Sequence, residues 1–428
     1  MQLKRFDNIL AMKSSSGAVL GFHAKNLEIA ELSDELFQAL SSPAEIQDPE
    51  ITEQLANWNE EISDQVRTES AKHKIQSLSI NVSQLCNLQC VYCAAGGDGT
   101  YGSPQKQISV QATIPQIEIL MSRLSAGDVF NITFLGGEPF LYPQGIQLLA
   151  EYALLKAEEF SLKVKFNVIT NGTLFNEHTV SLLNSISSQV TISLDGPAEI
   201  NDLVRPQKSQ KKGVTAQVLE GIELLLANRH NIPSIGVQGV FGTFNPHPMR
   251  SYLFYRELGV DWFDFHYDQE NSDPVASSQF AQEMAEVGQL ALATEGEAGL
   301  RKIKFFDQLF QQLDSKTRVE NFCGSGKSYV VLDAKNRAFT CPWSVNNPAE
   351  SVGNGVNLPI ENLQPLKNSL ISTNSCNDCW ARFLCGGGCM WAHKKATGDR
   401  HKVDNVYCDR TRDLISAGIS YYYQLRKV

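Results

Sequence analysis

The chain has ten cysteines in two groups, three in the run Cys86-Asn-Leu-Gln-Cys90-Val-Tyr-Cys93 and the other seven beyond residue 320. Three thiolates at this spacing can hold three irons of a cubane iron–sulfur cluster and leave the fourth iron open. An open iron makes such a cluster a catalyst, whereas four cysteines usually make it an electron carrier or a structural clamp. The same three thiols also supply three legs of a zinc site.

The elements before and after this run read as alternating strands and helices. Leu78, Ile80 and Val82 alternate on a strand that leads straight into Cys86. Further strand patterns cover Val129–Leu135, Val164–Thr170, Val190–Leu194, Ile235–Thr243 and Trp262–Tyr267, with helical patterns such as Ile146–Phe160 and Val214–His230 between them. Six strands joined by crossover helices predict an α/β fold with a parallel sheet, covered by helices or curled into a barrel. Chemistry in such barrels gathers at the carboxyl ends of the strands. Four predicted strand ends carry polar or glycine-rich turns: the cysteines, Gly136-Gly137-Glu138-Pro139, Thr170-Asn171-Gly172-Thr173 and Ser193-Leu194-Asp195-Gly196-Pro197.

Taken singly, each turn is an ordinary turn signal. In this order, from residue 75 to about 290, they resemble the radical S-adenosylmethionine superfamily and its partial (β/α)6 barrel. That resemblance implies that Cys86, Cys90 and Cys93 hold a catalytic 4Fe–4S cluster. It further implies that S-adenosylmethionine lies against Tyr92, the Gly136, Gly137, Glu138, Pro139 turn, Thr170, Asn171, Ser193 and Asp195. The methionyl carboxylate is assigned to Arg205, whose guanidinium forms a fork that matches it. In that chemistry the reduced cluster cleaves the cofactor to a 5′-deoxyadenosyl radical, which takes a hydrogen atom from an unactivated carbon.

The rear cysteines are Cys323, Cys341, Cys376, Cys379, Cys385, Cys389 and Cys408. Their spacing resembles the SPASM extension, which implies two auxiliary 4Fe–4S clusters: Cys323, Cys341 and Cys389 for the first, Cys376, Cys379, Cys385 and Cys408 for the second. Seven ligands leave the first cluster one short. A pair of zinc knuckles is the plain alternative. The family pattern has glycine at the position of Asn336. Asparagine also tolerates a left-handed backbone, so the turn is expected to survive.

SPASM enzymes act on peptides and proteins. Sulfatase-maturing enzymes carry an Asp directly after the cysteine that matches Cys341, and this chain has Pro342-Trp343 instead. The run from Cys86 to Tyr101 looks most like maturases of ribosomally made peptides, closest to those that build cyclophanes by joining an aromatic ring to a nearby side-chain carbon. Thioether formation is the rival reaction, and an iron–sulfur electron carrier is the non-enzyme alternative. The resemblance implies a precursor peptide with a leader as substrate and a flavodoxin or ferredoxin as reductant. Asp264 and His266, on the last barrel strand, are candidates for the pocket wall.

The bulk numbers fit this picture. A net charge of −10 argues against nucleic acid as a partner. No stretch approaches the roughly 20 apolar residues of a membrane helix. Cysteines used for metal rather than disulfides suggest a reducing cytoplasm. Residues 1–74 read as a separate lobe, 75–313 as the barrel and 314–428 as the cysteine-rich domain. In the lobe, strands at Asn8–Lys13 and Ala18–His23 precede a helix opened by Ser33 and an acidic helix from Pro49 to about Ser70. The Val19–His23 strand is the expected edge for leader-peptide addition. Two other signals fail: Gly326-Lys327-Ser328 lacks the upstream glycine of a phosphate loop, and Gly236, Gly239 and Gly242 are mis-spaced for a dinucleotide fingerprint.

Overall fold

The computed structural model describes residues 3–13, 17–40, 49–60, 63, 66–68, 74–93, 107–208, 213–345, 347–354, 369–374 and 376–427. Residues 94–101, on which the closest family resemblance partly rested, lie outside them. The chain divides into two compact units. One joins Met1–Ser70, Gln269–Cys323 and Asn368–Val428; the other joins Ala71–Asp268 with Gly324–Lys367. This grouping cuts across the linear division at residues 74 and 313.

The first unit opens with an antiparallel sheet of β1 (Leu3–Phe6), β2 (Ile9–Lys13), β3 (Val19–His23) and β4 (Glu28–Leu32), in that spatial order. The expectation that β3 forms an edge is therefore wrong. It pairs with β2 on one side and β4 on the other, which leaves no backbone for strand addition. The sequence window showed two strands where four exist, because Leu3–Phe6 and Glu28–Leu32 alternate too weakly to stand out. Ser33 caps the helix Asp34–Ala39 as its type predicts, its hydroxyl accepting from the Leu36 N–H. The next helix, Pro49–Glu60, buries Leu55 and packs Ile51 and Trp58 against the lobe's core. The helix is described as far as Glu60, and residues 61, 62, 64, 65, 69 and 70 of the expected stretch to Ser70 lie outside the described residues. The short strand β5 (Arg67–Thr68) falls where helix was expected, since it pairs with a strand far along the chain.

The second unit is built on β6 (Ser77–Ser83), β7 (Val129–Gly136), β8 (Lys163–Thr170), β9 (Ser188–Ser193), β10 (Ile235–Phe241) and β11 (Trp262–Tyr267). All six run parallel in consecutive order. Helices such as Pro143–Phe160 and Thr215–Ala227 make the crossovers. The fold is the α/β partial barrel expected. One face of each strand packs on the helices: Leu78, Ile80, Val82, Phe130, Ile132 and Phe134 are buried there. On β11, Phe263 and Phe265 meet Tyr252 and Tyr255 of the helix Pro248–Tyr255. Period-two alternation then turns Asp264 and His266 to the lumen.

After β12 (Thr317–Arg318), the partner of β5 in the first unit, three more strands extend the barrel sheet: β13 (Tyr329–Leu332), β14 (Arg337–Phe339) and β15 (Gly353–Asn354). The sheet has nine strands, in the order β11-β10-β9-β8-β7-β6-β13-β14-β15. β13 lies parallel to β6, so residues read as part of the rear domain complete the sheet beside the cysteine-bearing strand. Asn336 turns the chain between β13 and β14 at φ 60°, the left-handed backbone its type allows.

Candidate functional site

The site grows from the carboxyl ends of β6 to β9. Beyond β6 the cysteine loop is held by backbone bonds to the segment after the helix Ala198–Val204. The Gln89 N–H donates to the Pro206 carbonyl and the Val91 N–H to that of Val204, both at 2.9 Å, and the Lys208 N–H returns to the Asn87 carbonyl. On the other side the loop meets the Gly-Gly turn. The Gly137 N–H donates to the Ser83 carbonyl at 2.8 Å and the Glu138 N–H to the Leu85 carbonyl at 2.9 Å. A Cβ at Gly137 would lie 2.2 Å from the Leu85 oxygen, and one at Gly136 would lie 2.2 Å from the Ser83 oxygen. The glycines are thus required by the approach of two backbones, one of which carries Cys86.

Glu138 is buried without exposed surface. Its carboxylate accepts from the Phe140 N–H at 3.0 Å, the Thr170 hydroxyl at 2.8 Å and the Asn171 N–H at 2.8 Å. Burial pushes its pKa above the usual carboxylate range despite these three donors. It joins the second strand end to the third. Asn171 extends the link to the cysteine loop: its Nδ2 donates to Asn87 Oδ1 at 2.8 Å and lies 3.7 Å from Cys86 Sγ. The Asn87 amide donates in turn to the Thr173 hydroxyl at 2.7 Å. Asn87 was missed as a positioning residue, although its place inside the cysteine run was a signal.

The fourth strand end clamps the loop from below. The Tyr92 hydroxyl donates to Asp195 Oδ2 at 2.6 Å and accepts from Arg205 Nη1. The guanidinium lies 3.9 Å from the same carboxylate. The other oxygen, Oδ1, accepts from the Val240 N–H at 2.8 Å. Tyr92 also stacks on Phe244, with ring centroids 4.9 Å apart. Both Asp195 and Arg205 therefore face Tyr92, and Ser193 lies beside Gln238 of β10. Burial raises the pKa of Asp195, and the guanidinium opposes that shift.

Among the front thiols, Cys93 adds to the upward shift of Cys86, and Cys86 and Cys93 both add to that of Cys90. Burial lifts Cys86 to about 11, with Glu138 adding to the shift, and lifts Cys90 to about 12. Unliganded, both stay protonated, so loading would have to displace their protons. Across the lumen His266 stacks against Trp343, ring centroids 6.5 Å apart, in the short turn that follows Cys341.

In the first unit burial raises the pKa of Cys376, Cys385 and Cys408, with Cys379 adding to each shift, and burial raises Cys389, with Cys323 adding to it. None of the ten cysteines forms a disulfide. Among the described residues no three Cys, His, Asp or Glu side chains converge tightly enough to grip one metal ion. The two donor sets are all sulfur, which is the ligand chemistry of iron–sulfur clusters. The residues between Cys385 and Cys389 are Gly386, Gly387 and Gly388, all at positive φ, from 66° to 85°. The buried His393 holds this turn: Nε2 lies 3.1 Å from the Gly387 carbonyl, and Nδ1 accepts from the Asp404 N–H at 3.1 Å. Asp404 caps the helix Asn405–Arg426, which carries Cys408. The sequence held no sign of this role for His393, since both of its partners are backbone groups.

Residues 80–249 match the Radical SAM superfamily model. The chain carries a radical SAM domain, the domain of enzymes that use S-adenosylmethionine with a 4Fe–4S cluster. It is 22% identical over 360 residues to the serine-type anaerobic sulfatase-maturating enzyme of Klebsiella pneumoniae, covering 76% of this chain and 84% of that protein. An uncharacterized protein of Methanocaldococcus jannaschii is 30% identical over 159 residues, and the chain spans only 51% of its length. The fold is shared with anSMEcpe bound to AdoMet and the Cp18Cys peptide, at 18% identity and a TM-score of 0.67, over 82% of this chain and 98% of that one. Streptococcus suis SuiB bound to precursor peptide SuiA aligns over 95% of this chain and 100% of its own, at 13% identity and a TM-score of 0.51. No helix among the described residues is long and apolar enough to cross a membrane.

Proposed function

We propose that this chain is a radical S-adenosylmethionine peptide maturase, which takes a hydrogen from a side-chain carbon of a ribosomally made precursor and closes an intramolecular cross-link, a carbon–carbon cyclophane by preference. The observation that carries this reading is the convergence of four strand ends on the cysteine loop, together with a second, separate set of four thiols in the other unit. When bound, the cluster and cofactor supply hydrogen-atom abstraction. The chain's own part is positional: Glu138 and Asn171 hold the loop from one side, Tyr92, Asp195 and Arg205 from the other, and the half-buried Asp264 and His266 line the lumen. Cross-linking breaks two bonds to hydrogen and forms one bond between carbons. One hydrogen would leave on 5′-deoxyadenosine and the other as a proton, and an auxiliary cluster held by the rear cysteines would take up the remaining electron. Three 4Fe–4S clusters on the ten cysteines and a flavodoxin or ferredoxin reductant complete the proposal. Solved relatives of the same fold that hold peptides support a peptide substrate.

The N-terminal lobe is our candidate for the leader. Among the described residues the edge strands of its sheet are β1 and β4, and β4 borders a cavity of about 330 Å³ lined by Trp58, Tyr422 and Tyr423. Sulfatase maturation is the second reading, favoured by the likeness to a sulfatase-maturating enzyme and opposed by Pro342, which stands after Cys341 where the resemblance to that family implies an Asp. Thioether closure is the third. Anaerobic co-expression with short peptides encoded beside the gene, followed by mass spectrometry, tests all three. Loss of two hydrogens, mapped to an aromatic residue and a neighbour, is the expected product, and Cys90→Ala is expected to abolish it. An unchanged mass for every peptide would defeat the reading.

A further inference from the structure

Closed eight-stranded barrels usually fill their lumen with packed, mostly branched apolar side chains. Here alternation turns a polar set inward, including Ser79, Asn81, Thr133, Asn167, Thr191 and Gln238. Part of this set is paired within the protein. The Tyr329 hydroxyl donates to Ser79 at 2.8 Å, and the Thr191 hydroxyl to Asn167 Oδ1 at 3.2 Å. Asn81 is different. It is 0% exposed, and neither its Nδ2 nor its Oδ1 has a partner among the described residues. A buried amide left unmatched at both ends is costly, and native proteins rarely keep one. Because both ends are unmatched, nothing turns on which is oxygen and which nitrogen.

The geometry points to Asn81 as a subsite that grips one backbone peptide bond of the substrate, its carboxamide pairing with the peptide N–H and C=O. This rests on the peptide-maturase reading and adds a residue that reads the main chain. A carboxamide offers one donor face and one acceptor face side by side, the complement of a peptide bond. An adenine edge presents the same pair. Position favours the peptide. Asn81 pairs across the sheet with Leu135, just before the Gly-Gly turn, and lies two residues upstream of Ser83, whose carbonyl that turn takes. Its side chain therefore sits in the lumen, one row beneath the turns to which the cofactor is assigned.

The test uses anaerobically reconstituted full-length protein and N-methylacetamide, a single peptide bond, followed by ligand-observed NMR. Wild type is expected to bind it, and Asn81→Leu to bind it about tenfold more weakly, since two hydrogen bonds are lost. The melting temperature of Asn81→Leu should be no lower than that of wild type, because an apolar side chain removes the unmet amide. Should leucine not be accommodated, Asn81→Ala makes the same comparison. Equal amide binding by wild type and variant, or none by either, overturns the proposal. So does a tenfold loss of S-adenosylmethionine affinity in the variant, which would mean that Asn81 reads adenine. Because the probe needs no turnover, an Asn81-dependent amide site found with no modified peptide would sink only the maturase reading. Modified peptide with Asn81-independent binding would sink only the subsite.

Discussion

Tyr92 and Asp195 are 103 residues apart in sequence, and the tyrosine hydroxyl donates to the carboxylate at 2.6 Å. Tyr92 stands between two of the front cysteines and Asp195 just past the end of the fourth barrel strand, so this bond fastens the cysteine loop to the barrel. Arg205 closes the arrangement, with its side chain 8% exposed against 0% for Asp195.

Asp195→Ala leaves a buried guanidinium without its counter-charge and should cost about 3–5 kcal/mol. Tyr92→Phe removes the shared hydroxyl but keeps the ion pair, and should cost about 1–3 kcal/mol. Urea unfolding of the full chain measures both. An Asp195→Ala variant as stable as Tyr92→Phe would contradict this ordering.

Gly137→Ala forces a Cβ against the backbone of Leu85 and Cys86, which has no flexible end to give way. A cost of roughly 1–3 kcal/mol is expected from such overpacking. Because the displaced backbone carries Cys86, iron bound at the front site should fall more than overall stability does. Parallel iron analysis and thermal melts decide the point; full iron loading would show that the turn yields without moving the loop.

His393→Leu severs the bonds to Gly387 and Asp404, both within the first unit. We expect reduced iron content with the front-site signal retained, and partial recovery in His393→Gln, whose amide can donate and accept. Iron analysis with electron paramagnetic resonance distinguishes front from rear loss. If the glutamine variant behaves like the leucine one, the two hydrogen bonds are not what matters.

Acid stability should depend on Glu297 and Asp314. Hydrogen bonds from Arg426 and Arg301 hold Glu297 below its ordinary range; at Asp314 burial opposes the same arginines and Tyr422, and the net shift is again downward. A carboxylate depressed in the folded state contributes stability above its unfolded pKa, near 4, and loses that contribution as pH falls through the folded value. Glu297→Gln with Asp314→Asn should therefore weaken the protein modestly at neutral pH and flatten its loss of stability below about pH 4. The groups are partly exposed, so salt should shrink the effect. Unfolding curves from pH 2 to 7 check both points.

Much of this was legible from local chemistry. Alternating Leu78, Ile80 and Val82, the cap at Ser33 and the left-handed Asn336 each follow from the preferences of a few neighbouring residues. The four strand-end turns were visible as turns, and their order along the chain pointed to the superfamily. What stayed hidden depends on pairing between distant segments. Whether β3 is central or an edge is set by which strands reach it, and Val19–His23 reads the same either way. Likewise β13 joins the barrel sheet beside β6 although about 250 residues separate them, because backbone hydrogen bonding between strands is indifferent to sequence distance. The sequence by itself determined which residues could bind metal, cap a helix or turn the chain, since those properties belong to side-chain type and spacing. Packing alone settles that Asp195 faces Tyr92, that the Gly-Gly turn presses on the cysteine loop, and that Asn81 is buried with no partner for its amide among the described residues. Burial and hydrogen-bond satisfaction are properties of the packed whole, and no window of sequence contains them.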